Sequence, residues 1–171
     1  EPFRASVSVF PTPWNTETKL LHVGIKGYVP PAAERPKANL VFLIDTSGSM
    51  HSPDKLPLLK QAFGLLVDQL RPVDRVAIVV YAGAAGLVLP STAGDRKDAL
   101  HAAIDGLEAG GSTAGGAGIR LAYDIARENH IDGGNNRVIL ATDGDFNVGA
   151  SSDGAMVELI EEKRAQGTFL T

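Results

Sequence analysis

A chain of 171 residues with 44% hydrophobic and 21% charged positions has the composition of one ordinary globular core, which excludes a disordered or low-complexity polymer. The formal net charge of −4 and the absence of any basic run argue against binding to nucleic acid or anionic lipid by counterion release, and no apolar stretch approaches the ~18 residues that a membrane-spanning helix requires. With no cysteine there are no disulfides and no thiol chemistry, a composition compatible with either redox compartment.

In chain order, Ala5, Val7 and Val9 alternate with Ser6 and Ser8, the pattern of a half-exposed strand, which Pro11 and Pro13 should break. Leu21, Val23 and Ile25 repeat the alternation. Pro30, Pro31 and Pro36 then make a stiff, extended connection. Trp14, the only tryptophan, lies between the two strands and is expected to pack them against the remainder of the chain. Leu40 to Ile44 are five apolar residues in a row with turn chemistry directly after them, which predicts a strand buried on both faces, as in a parallel sheet.

A helix is predicted to begin near Pro57, with Leu59, Ala62, Phe63, Leu66 and Leu70 on one face, and to stop at Pro72. Val76 to Val80 read as a second buried strand and Gly86 to Leu89 as a short edge strand. Asp95 should cap a helix with Leu100, Ile104 and Leu107 inward, ending near Gly110. A further helix follows Gly115, with Ile119, Ala122, Ile125 and Ala126 facing the core and Asp132-Gly133-Gly134 closing it. Val138 to Ala141 form another buried strand, and Met156, Leu159 and Ile160 lie on a last helix ending at Gly167, with Thr168 to Thr171 opening one more strand. Strands alternating with helices require a mostly parallel, doubly wound α/β sheet with helices on both faces, because each parallel return needs a crossover.

The chemistry concentrates after the first buried strand. Asp45 ends it, and Ser47 and Ser49 follow on a turn containing Gly48, so a carboxylate and two hydroxyls converge at the carboxyl end of a central strand, where open α/β sheets bind ligands. All are oxygen donors and two are neutral, which points to a hard cation such as magnesium rather than zinc or copper. Asp-x-Ser-x-Ser by itself matches by chance in many proteins.

The pattern resembles the first loop of the metal-ion-dependent adhesion site of von Willebrand factor type A domains. In that family a threonine from a second loop and an aspartate after a later strand complete the site. Thr113, within Gly110 to Gly116, and Asp143, within Ile139 to Asp145, stand in matching places and order. The resemblance covers roughly residues 38 to 171, and its wording is most similar to bacterial secreted or membrane-anchored members. It implies a domain over residues 37–171 that lacks its C-terminal part, preceded by an N-terminal β extension over residues 1–36. It also implies a magnesium ion, with manganese or calcium as substitutes, held by Asp45, Ser47, Ser49, Thr113 and Asp143. An acidic side chain of a protein partner would complete the ion's coordination, in a cell-envelope or extracytoplasmic setting whose anchor or signal lies outside the chain. Asp145 is read as a cap of the turn that follows Asp143.

The enzyme alternatives find less in the sequence. A haloacid dehalogenase-type phosphotransferase needs a second aspartate two residues after its nucleophile, and Ser47 occupies that place. No glycine-rich stretch is followed by the lysine of a P-loop, and His22, His51, His101 and His130 are scattered without a triad. A structural module with no ligand is the other alternative.

Overall fold

The structure is a computed structural model and describes residues 3–31, 34–82, 84–111, 115–144 and 153–171. The chain divides into two compact units, Glu1–Arg35 and Pro36–Thr171.

The first unit is a β-hairpin of β1 (Phe3–Thr12) and β2 (Asn15–Gly27), paired antiparallel. Its register sets Ala5 opposite Ile25, Val7 opposite Val23 and Val9 opposite Leu21, so the alternation seen in the sequence becomes one apolar face. Pro11 does not end the strand as expected: the register shifts between Pro11 and Thr12, and the irregularity absorbs the missing amide. Thr12 faces Asn15, and Trp14 at the turn between them is 76% exposed.

The second unit is a five-stranded sheet in the order β5-β4-β3-β6-β7, comprising β3 (Ala38–Asp45), β4 (Arg75–Ala82), β5 (Ala84–Ala93), β6 (Asn135–Ala141) and β7 (Thr168–Leu170). All neighbours are parallel except β4 and β5, so the expected edge strand is antiparallel and longer than its apolar stretch. The five consecutive apolar residues of β3 are explained by their distribution. Leu40, Phe42 and Ile44 join a core with Phe63, Val67, Leu100 and Ile104, which belong to α1 (Leu56–Asp68) and α2 (Lys97–Asp105). Val41 and Leu43 join a second core on the opposite face with Ile119, Ala122 and Ala126 of α3 (Gly115–Glu128), and Met156 and Leu159 of α4 (Asp153–Ala165) pack against it. A strand with helices on both sides has no polar face. Phe42 and Phe63 stack with centroids 4.1 Å apart, fixing α1 over the central strand.

Two expected boundaries differ. Asp95 does not cap α2, whose capping position is Arg96 and carries no side-chain cap bond. The turn before it is set by backbone instead, with the Gly94 amide donating to the Asp74 carbonyl at 2.8 Å, and Lys97 Nζ donating to the Val67 and Leu70 carbonyls at the end of α1. The same helix ends at Asp105 rather than near Gly110, because Lys60 Nζ takes the Asp105 and Leu107 carbonyls at 2.7 Å each and turns the chain toward the sheet edge.

Candidate metal centre

Asp45 closes β3, in register with Tyr81 of β4, and is fully buried at the carboxyl edge of the sheet. A buried carboxylate needs partners. Its Oδ1 accepts the Ser47 amide at 2.8 Å, the Asx arrangement that bends the chain into the 3₁₀ turn Gly48–His51, and the Thr142 hydroxyl lies 3.4 Å from Oδ2. The Ser47 and Ser49 hydroxyls are 3.0 Å apart, so the turn presents both on one side, as alternate residues of the motif require. Tyr81 stands beside them; burial pushes its phenol above the ordinary value, with Thr142 and Asp45 as its polar neighbours.

A second loop is bound to this turn through backbone. The Gly110 amide donates to the Thr46 carbonyl at 2.7 Å and the Gly48 amide to the Gly111 carbonyl at 3.2 Å. Gly111 has φ +91° and lies against Ala82 at the end of β4, a conformation and an approach that a side chain would oppose. These bonds place the start of the Gly110 to Gly116 stretch beside the Asp-x-Ser-x-Ser turn. Thr113 and Asp145 lie outside the described residues.

The third contribution follows β6. Asp143 leaves the strand next to Thr142, so the Thr142 contact to Asp45 connects the two strand ends. The Asp143 side chain is 11% exposed and pairs with Lys55 Nζ at 2.7 Å. Lys55 also donates to the Ser49 carbonyl at 3.0 Å, and its hydrogen bond to Asp143 holds the ammonium above its ordinary pKa. The sequence reading missed this lysine, whose only signal was a basic residue shortly after the motif.

The residues fit a hard dication. Asp45, Ser47, Ser49 and Asp143 supply oxygen only, in a mix of carboxylate and neutral hydroxyl, and a positively charged group already bridges Ser49 and Asp143. Among the described residues no three His, Cys, Asp or Glu side chains cluster.

Similarity to known proteins points to one family. The family model described as von Willebrand factor type A domain matches residues 40–145. Over 170 residues the chain is 47% identical to the uncharacterized protein YfbK of Escherichia coli strain K12, covering 99% of this chain but only 30% of that protein. Among solved structures, BatB from Bacteroides thetaiotaomicron is similar at TM-score 0.65 and 25% identity, over 78% of this chain and 64% of that one. An aerotolerance-related membrane protein from Bacteroides fragilis is similar at 0.62 and 25%, over 78% of this chain and 65% of that one. Proximal thread matrix protein 1 from the mussel byssus, solved with zinc occupying its own metal-ion-dependent adhesion site motif, is similar at 0.59 and 25%, over 80% of this chain and 35% of that one. The sheet order, the strand-end loops and the matched segment together establish that the chain belongs to the von Willebrand factor type A domain family.

Proposed function

We propose that this chain is a divalent-cation-dependent protein-binding domain, in which Asp45, Ser47, Ser49, Thr113 and Asp143 hold a magnesium ion and an acidic side chain of a partner protein fills the ion's open position. The observation that carries the reading is the junction at the sheet edge: the Asp-x-Ser-x-Ser turn, fastened by backbone bonds to the Gly110–Gly111 corner and by Thr142 to the segment bearing Asp143. The chemistry follows from the donors. Hydroxyls do not neutralise a dication, so the bound ion stays electrophilic and attracts a carboxylate from outside. Manganese or calcium can replace magnesium at an all-oxygen site, and the zinc held by the mussel protein supports a dication at this motif.

The reading is binding rather than catalysis, since Ser47 occupies the place where an aspartyl phosphotransferase carries its acid. A cell-envelope setting is proposed from the membrane protein of Bacteroides fragilis; among the described residues no helix is long and apolar enough to cross a membrane. The chain spans 30% of the length of its Escherichia coli relative, so the partner is proposed for this domain alone.

Titration calorimetry with magnesium and manganese tests the ion, and capture of an aspartate-containing peptide library with and without chelator tests the partner. Asp143→Ala and Ser47→Ala are each expected to weaken the ion about tenfold or more, equivalent to ~1.4 kcal/mol. No heat at millimolar ion from the folded wild-type protein, or phosphate-ester turnover at the same site, would sink the reading.

A further inference from the structure

Lys55 brings a cation to the edge of the candidate site. It immediately precedes α1, and its backbone is fixed on both sides: its amide donates to the Ser52 carbonyl at 3.0 Å and its carbonyl accepts the Leu59 amide at 2.9 Å. From that anchor the side chain turns back to the sheet edge and bridges two of the three loops, with Nζ 3.0 Å from the Ser49 carbonyl and 2.7 Å from the Asp143 carboxylate. Ordinary surface ion pairs contribute little. This pair differs because the Asp143 side chain is 11% exposed, the ammonium has a second acceptor, and the carboxylate it occupies is one the proposed ion requires.

We propose that Lys55 is a tethered cation that competes with the divalent ion for Asp143, so that the ion-free site is closed by the protein's own ammonium and ion binding requires Lys55 to release that carboxylate. The inference rests on the proposed metal reading and adds a regulator to it. Charge supplies the logic: one ammonium opposite the Asp45 and Asp143 carboxylates leaves the site negative, whereas a dication neutralises both, so the exchange favours the ion once its concentration is high enough. Lys55 therefore sets the concentration at which the site loads. A closed fraction of about nine tenths raises the apparent dissociation constant about tenfold.

The test combines manganese titration of wild type and Lys55→Met with acetic anhydride labelling of wild-type lysines read by mass spectrometry. Lys55→Met keeps the aliphatic stem and removes the ammonium. It is expected to bind manganese about tenfold more tightly than wild type. In wild type, saturating manganese is expected to raise the acylation rate of Lys55 several-fold, while exposed Lys37 is unchanged. Equal manganese affinity in the two proteins overturns the competition and leaves the metal reading standing; no binding by either overturns both. Tighter binding by Lys55→Met with Lys55 labelling unmoved by bound manganese also overturns it, since the gain is then a general charge effect. Were Lys55→Met unable to fold, labelling of the wild-type protein decides alone.

Discussion

At the scale of single residues, Asp74 shows how a buried charge is retained away from the ligand edge. Its carboxylate accepts the Ala38 amide at 2.9 Å, the Arg71 amide at 2.8 Å and two Arg71 guanidinium nitrogens at 3.0 and 2.8 Å, joining the start of β3 to the turn before β4. Burial alone would raise its pKa, yet the Arg71 side chain and the two backbone amides together hold it below the ordinary 3.8. The unfolded chain therefore takes up this proton more readily than the folded one. The stabilisation is complete above the ordinary value and is lost as pH falls below it toward the folded value. Asp74→Asn is expected to cost about 2 kcal/mol at pH 7 and to flatten the acid limb of the stability curve. Urea unfolding between about pH 2.5 and 7 checks this. An unchanged acid slope would mean that another carboxylate governs it.

At the scale of elements, α3 packs closely on the sheet beside the candidate site because Gly118 has no side chain. A Cβ there would lie 3.0 Å from the Tyr81 Cβ and 3.2 Å from Leu43 Cδ1. Alanine gains about 1 kcal/mol of helix propensity over glycine, but overpacking against a backbone-anchored Cβ costs ~1–3 kcal/mol, so the clash wins. Gly118→Ala is expected to destabilise by about 1 kcal/mol and Gly118→Val by more, measured by urea unfolding. Stabilisation by alanine would mean that α3 lifts away without penalty. The hairpin poses the opposite problem. Val7, Val9, Leu21, Val23 and Ile25 form one apolar face, and each is more than half exposed. Two strands with such a face are marginal alone in water. A peptide of residues 1–35 is expected to give a coil-like circular dichroism spectrum, and a cooperative β-type melt would refute that.

At the scale of the whole molecule, the two cores of the second unit lie on opposite faces of β3 and of its neighbour β4, so the strand that bears Asp45 and the strand beside it are both packed from two sides. The sheet edge carries the candidate site, and in the proposed reading the segments that leave it supply the donors. An ion that binds only the folded state must stabilise that state by mass action. Magnesium at a hundred times its dissociation constant is expected to add about 2.7 kcal/mol and raise the melting temperature by several degrees, with chelator reversing the shift. Scanning calorimetry with and without magnesium measures it. A melting temperature independent of magnesium, in a protein that calorimetry shows to bind the ion, would place equal affinity in the unfolded chain.

The sequence by itself determined the class of fold and the order of its elements, because apolar periodicity and length report local environment directly. Five unbroken apolar residues at 40–44 require cover on both faces, and the helical spacing of Leu59 to Leu66 requires one. It also marked Asp45, Ser47 and Ser49, whose grouping follows from alternate positions on one turn. Thr113 and Asp143 were reached only through resemblance, since no local pattern relates residues so far apart. Tertiary structure decided what depends on distant neighbours: the antiparallel pairing of β5, the early end of α2 under Lys60, and the backbone bonds that bring Gly110 and Gly111 to Thr46 and Gly48. It alone disclosed Lys55, 88 positions from the carboxylate it holds. A salt bridge between two loops is a property of where the strands end, and strand ends become neighbours only after the sheet has formed.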